Sequence, residues 1–166
     1  ITILNPAPMR ADFSRALLRS TDILIPNESE FVALVRGLRG AAHRRFDERA
    51  LQKLSRPYLH ALCRQLGVPT VIVTLGRRGC FISEKSAHHL IPAYRGLKVV
   101  DTTGAGDAFC GGFAAGLVRY DGRVLDAARL GTAVAALSIT KPGAAFAMPT
   151  RAELQRFLRR HAAGRG

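Results

Sequence analysis

Acidic side chains are scarce: 12 Asp and Glu stand against 25 Lys and Arg, a formal charge of +13. Such an imbalance draws anions, and it could serve a nucleic-acid surface by displacing counterions from phosphates. The arginines are dispersed, however. The local pairs Arg44-Arg45, Arg77-Arg78 and Arg159-Arg160 have no aromatic platform beside them, and no recognisable nucleic-acid module is present. A solvated basic surface that favours anionic nucleotides is the reading this pattern supports, and no specific nucleic-acid partner is expected. Cysteine is also sparse. Cys63, Cys80 and Cys110 are odd in number and far apart, with no Cys-x-x-Cys pair, which argues against a disulfide framework or zinc knuckle and for reduced, packed thiols. No apolar run approaches membrane length, and Ile1-Thr2-Ile3-Leu4-Asn5-Pro6 lacks the basic and apolar regions of a signal peptide, so no membrane partner and a cytoplasmic location are expected.

What is present is a chain of 166 residues, 48% apolar, long enough for one domain with a core. Strands and helices alternate along it. Residues 1–4 read as a short strand. Pro6 and Pro8 impose an extended loop before Asp12, an N-cap for a helix over 13–19. Residues 22–25 form an apolar run ended by Pro26, suited to a buried parallel strand, and Asn27 and Glu30 open the next helix as the N-cap and N3 of a capping-box pair. Residues 37–40 end that helix and 41–46 form a basic connection. Leu51, Leu54, Tyr58, Leu62 and Leu66 make one apolar face over 47–66, where Pro57 forces either a kink or a restart at Ser55. Residues 70–74, β-branched throughout, predict the central strand, and Leu75-Gly76-Arg77-Arg78-Gly79 a turn into a hairpin partner at 80–83. Residues 87–91 and 97–100 are further strand candidates. His43 and His60 have no metal-ligand partner at useful spacing, while His88 and His89, adjacent in a strand, face opposite ways.

The organising stretch is Asp101-Thr102-Thr103-Gly104-Ala105-Gly106-Asp107, followed by a small-residue helix to about Tyr120, whose Ala and Gly content predicts close contact with the sheet. It is neither of the two common glycine fingerprints, Gly-x-x-x-x-Gly-Lys-Ser/Thr or Gly-x-Gly-x-x-Gly. Two glycines where an extended segment turns into a helix leave amides unobstructed at the positive end of the helix dipole, the chemistry of an anion site. A carboxylate at Asp107, beside such a pocket, suits a base that takes the proton of an attacking hydroxyl. The alternative is a glycine-rich turn capping a packed helix, with Asp107 as a first-turn dipole partner. A second helix follows over 124–139 and a last one over 151–161, capped by Pro149-Thr150. Right-handed crossovers between such elements predict a three-layer α/β/α sandwich with a mostly parallel sheet and a single domain over 1–166.

Asp-Thr-Thr-Gly-Ala-Gly-Asp with the following Ala108-Phe109 and Gly111-Gly112-Phe113 resembles the C-terminal signature of the ribokinase-like, or PfkB, carbohydrate kinases. Leu4-Asn5-Pro6-Ala7-Pro8, Pro26-Asn27-Glu28-Ser29-Glu30 and Thr74-Leu75-Gly76-Arg77-Arg78-Gly79 agree in order and spacing. The resemblance covers only the second half of such a kinase, so the N-terminal part and lid are expected to be missing, and a family-type dimer through the lid is not expected. It implies ATP-dependent phosphorylation of a sugar hydroxymethyl group, with ribose suggested by the Asn5-Pro6-Ala7-Pro8 opening. Asp107 would be the base, and the amides of Gly104, Ala105 and Gly106 would hold the transferring phosphoryl group. Thr74, Gly76, Arg77, Arg78, Gly79, Asn27 and Thr132 would line the nucleotide. Glu30, with Asn27, would organise Mg2+. Asp101, Thr103, Ser138, Lys141 and Gly143 would cradle K+, although Ala147 and Thr132 replace a polar residue and a histidine common in the family. Two further readings are a truncated, non-catalytic nucleotide-binding remnant and a basic nucleic-acid-binding domain.

Overall fold

The computed structural model describes residues 1–9, 13–39 and 45–162. Asp12, His43 and most of the basic connection predicted at 41–46 lie outside the described residues. The chain gathers into two compact units, Ile1–Leu90 and Ile91–Gly166.

The first unit is built on a five-stranded sheet in the order β1 (Ile3–Leu4), β2 (Ile23–Leu24), β3 (Thr70–Thr74), β4 (Cys80–Ser83), β5 (His88–Ile91), whose last residue opens the second unit. β3 is the middle strand, as its β-branched run predicts, and Val71, Ile72 and Val73 are all fully buried. β1, β2 and β3 are parallel; β4 returns antiparallel with Thr74 opposite Cys80, so the sheet is mixed. Helices follow the chain between strands: α1 (Arg15–Arg19), α2 (Glu28–Arg39), α3 (Glu48–Gln52) and α4 (Arg56–Arg64). Leu24, Phe31, Val35, Leu51, Leu62, Val68, Val71 and Phe81 form the centre of one apolar core. Burying each such side chain is worth about 1.5–3 kcal/mol.

Local chemistry sets the helix ends. α1 starts later than the sequence predicts: Ser14 is its N-cap, with Oγ accepting the Ala16 N–H. The periodic stretch 47–66 is two helices. Asp47 caps the first by accepting the Ala50 N–H, and Ser55 caps the second with Pro57 in its opening turn, so the chain restarts there instead of kinking. α2 runs through Gly37 to Arg39. At the end of α4 the Arg64 guanidinium donates to the carbonyls of Val68, Pro69 and Ser83 and to Ser83 Oγ, fastening the helix end to β4.

His60 joins this cluster. Its Nδ1 lies 2.7 Å from Ser83 Oγ and its ring 5.1 Å from that of His88. Burial, then the charges of His88 and Arg64, hold His60 below its ordinary value of 6.5. The folded chain therefore binds fewer protons than the unfolded chain as pH falls below 6.5, and stability is lost in that direction. Melting temperature should fall as pH is lowered through this range, and His60→Gln should flatten the dependence. An unchanged profile in the variant would assign it to other groups.

The second unit holds α5 (Ala105–Arg119), α6 (Val124–Ser138) and α7 (Arg151–Ala162). The 97–100 segment, predicted as a strand, is not one. Val100 N–H donates to the Ile139 carbonyl at the end of α6, and Val99 and Val100 are exposed. The small-residue face of α5, expected to meet the sheet, meets α6: a Cβ added at Gly116 would stand 2.6 Å from Ala127 Cα, and one at Gly112 2.8 Å from Val134 Cβ. Asp121 and Gly122 turn the chain between the two helices, both with positive φ. α7 lays Phe157 against Ala133 and Ala136, with Tyr94, Leu154 and Leu158 around it. No helix among the described residues is long and apolar enough to cross a membrane.

Candidate active site

At the head of α5 the chain turns through Gly104, whose φ of 74° places it in the left-handed region that a side chain resists. A Cβ here would also stand 2.8 Å from Ala144 Cβ, so this glycine is required twice. Ala108 N–H closes the first helical turn onto the Gly104 carbonyl. The motif offers the amides of Gly104, Ala105 and Gly106 to an anion. Ala105 departs from it, since its N–H donates to the Thr102 carbonyl at 3.2 Å. The N–H groups of Gly104, Gly106 and Asp107 donate to no described residue. The Asp107 side chain is exposed on the same turn, and its carboxylate bonds to no described residue. Open donors at a helix N-terminus beside an uncommitted carboxylate can hold a phosphoryl group and accept a proton next to it.

Asp101 ties this turn to the loop after α6. Oδ1 accepts the Thr103 N–H at 2.8 Å, and Oδ2 accepts the Gly143 N–H at 2.9 Å. These bonds, the Thr103 amide first, then its hydroxyl and the Gly143 amide, hold the Asp101 carboxyl below the usual carboxylate range. The structure thus brings together Asp101, Thr103, Gly104 and Gly143. The carbonyl oxygens of Thr103, Lys141 and Gly143 accept nothing from the described residues, whereas that of Ser138 takes the Lys141 N–H and its buried hydroxyl donates to Ala135. Thr132, placed at the nucleotide by the sequence reading, is 6% exposed, and its hydroxyl donates to the Ala128 carbonyl inside α6.

In the first unit, Asn27, Glu30 and Thr74 converge where β2 and β3 end. Asn27 makes an isolated parallel bridge to Thr74, whose N–H donates to the Pro26 carbonyl. Asn27 Oδ1 accepts the Glu30 N–H at 2.9 Å, and Glu30 Oε2 accepts the Asn27 N–H at 2.8 Å. That is the reciprocal capping box foreseen from the residues alone. Glu30 is nevertheless 6% exposed, and its Oε1 has no partner among the described residues. Gly76 and Gly79, both at positive φ, shape a 3-10 turn at Gly76–Arg78. Its two arginines differ. Arg78 pairs with Glu28 Oε1 at 2.7 Å, while Arg77 is exposed without a described partner.

Two features escape a sequence reading. One is the Gly104–Ala144 approach, which no local pattern announces. The other is a pair between Lys141 Nζ and Glu153 Oε1 at 2.7 Å, with Glu153 Oε2 accepting the Thr150 N–H. The Thr150-x-x-Glu153 spacing signals the cap but not its lysine. Lys141 first, then the Thr150 amide and hydroxyl, bring Glu153 down to about 2. Among the described residues no group of three His, Cys, Asp or Glu side chains could hold a metal ion.

Residues 1–151 match the pfkB family carbohydrate kinases. The ribokinase of Haemophilus influenzae is 37% identical over 159 residues, which make up 94% of this chain and 46% of that protein. The crystal structure of the Thermotoga maritima ribokinase superposes with a TM-score of 0.78 at 33% identity, over 96% of this chain and 49% of that one. The Arabidopsis thaliana ribokinase, complexed with ribose and ATP, gives 0.77 at 30% identity, over 94% and 46%. This chain therefore spans about half the length of these relatives. Its match over residues 1–151 and its α/β fold make it a member of the pfkB family of carbohydrate kinases, ribokinase-like in architecture.

Proposed function

We propose that residues 1–166 are one domain, the C-terminal nucleotide-binding and catalytic half of an ATP-dependent kinase that phosphorylates a sugar hydroxymethyl group, with ribose as the sugar. The observation that carries this reading is the head of α5: three open amides and an uncommitted carboxylate on one turn. In the reaction Asp107 accepts the proton of the sugar hydroxyl as its oxygen attacks the γ-phosphorus. The new O–P bond forms, the bond to the β-phosphate oxygen breaks, and ADP leaves with that electron pair. The amides of Gly104, Gly106 and Asp107 steady the charge on the phosphoryl oxygens throughout. The 74–79 turn, with the cation of Arg77, takes the nucleotide. Arg78 shapes that turn by holding Glu28.

Two cations fit the donors present. The unbonded Glu30 oxygen is of the hard type Mg2+ prefers, and with Asn27 it would hold the waters of that ion; the ion supplies charge neutralisation to the nucleotide phosphates. The open carbonyls of Thr103, Lys141 and Gly143, with Asp101, are the oxygen-rich, weakly charged set a K+ ion takes, and the ion would stiffen the turn before Gly104. Ala147, fully buried, adds no side-chain oxygen to that set.

Titrating Mg2+ and ATP into 15N-labelled chain tests the site. The Gly104, Gly106 and Asp107 amide resonances should shift saturably. Unmoved resonances, combined with steeply salt-dependent oligonucleotide binding, would replace the kinase site by a basic nucleic-acid surface.

A further inference from the structure

Between α6 and α7 the chain has to present Gly143 to Asp101 and Ala144 to Gly104, and neither contact is made by a helix. One residue of α7 is placed to control that loop. The Glu153 carboxylate is fixed from behind, since Oε2 accepts both the Thr150 N–H at 2.7 Å and the Thr150 hydroxyl at 3.0 Å. Its other oxygen is then a rigid anchor facing Lys141, two residues before Gly143, and Lys141 Nζ sits on it at 2.7 Å. The connected series runs from the cap of α7 through Glu153 and Lys141 to Gly143, then through Asp101 to Thr103 and the turn at Gly104. Both side chains are about one-third exposed, at 35% and 29%, and ion pairs in such settings contribute little to stability, about 0–1 kcal/mol.

We propose that Glu153 is a positioning residue for the phosphoryl site: through Lys141 it sets the loop whose Gly143 and Ala144 fix Asp101 and Gly104. This rests on reading the 104–107 turn as that site. Glu153→Gln keeps an oxygen for Thr150 but removes the charge that holds Lys141; Lys141→Met removes the other partner. The full chain carrying each change is measured for ATP affinity by calorimetry, for thermal melting, and for the amide resonances of Gly143 and Gly104.

Glu153→Gln and Lys141→Met should each weaken ATP about tenfold and move both resonances. The double variant should be no worse than either single one, and melting should scarcely change. Three results would overturn the proposal. Unmoved Gly143 and Gly104 resonances in Glu153→Gln mean that no positional link exists. Affinity lost in step with melting temperature means the pair is merely structural. Tighter ATP binding in Glu153→Gln, with loss only in Lys141→Met, means that Lys141 touches the nucleotide itself. Failure of the phosphoryl site has a separate signature, because ATP then leaves the 104–107 amides of the unsubstituted chain unmoved.

Discussion

Asp107→Asn, in a kinase reconstituted with the sugar-binding half, should lower turnover by about 100-fold or more while leaving ATP affinity nearly unchanged. The side chain bonds to no described residue, so no described hydrogen bond or ion pair is lost with its charge. Asparagine is close to isosteric, preserves the first turn of α5 and leaves the Gly104, Gly106 and Asp107 amides open. What it cannot do is accept the hydroxyl proton. Single-turnover phosphoryl transfer, set beside calorimetric ATP binding, separates the two effects. Should ATP affinity and turnover fall together, Asp107 would be shaping the turn and not performing the chemistry.

The largest expected effect on stability comes from Gly116→Val. A Cβ at this position would lie 2.6 Å from the Cα of Ala127 and 3.1 Å from its carbonyl oxygen, backbone atoms of α6 that no rotamer change can move aside. The helices would have to separate, exposing Phe113 and Ala127, which are now fully buried. Overpacking of this kind costs about 3 kcal/mol, a large share of the roughly 5–15 kcal/mol that holds a domain together. Gly111→Ala is the matched control. It is on the same helix, exposed, and a Cβ there meets nothing within 4 Å. Replacing glycine in an exposed helical position should add up to about 1 kcal/mol. Urea unfolding of the two variants should move in opposite directions, and equal midpoints would mean that the α5–α6 approach is not a stability determinant.

What the sequence made legible was whatever rests on neighbours in the chain. The β-branched run at Thr70–Thr74 declared a strand covered on both faces, and Pro57 marked a break near Ser55, a kink or a restart, which the structure resolves as a restart with the proline in the opening turn. Asn27 and Glu30 declared their cap in the same way. Contacts between distant residues were not legible. Residues 97–100 have the composition of a strand, yet the Val100 N–H finds its acceptor in Ile139, far along the chain. Small residues announced a close approach by α5, expected to be to the sheet, whereas Gly112 and Gly116 meet α6. That Arg78 pairs with Glu28, 50 residues away, has no local signal either. At the candidate site the motif located the turn and its acid, but not which amides remain open, because that depends on Thr102 accepting from Ala105.

The arrangement at Glu30 bears on how a metal role could be assigned at all. One oxygen of this side chain closes the start of α2, while the other is left over, so truncation to alanine would disturb the helix and any ion in a single stroke. Glutamine can still accept from the Asn27 amide with its lone carbonyl, and what disappears is the negative charge. It is the substitution at this position that divides architecture from ion affinity.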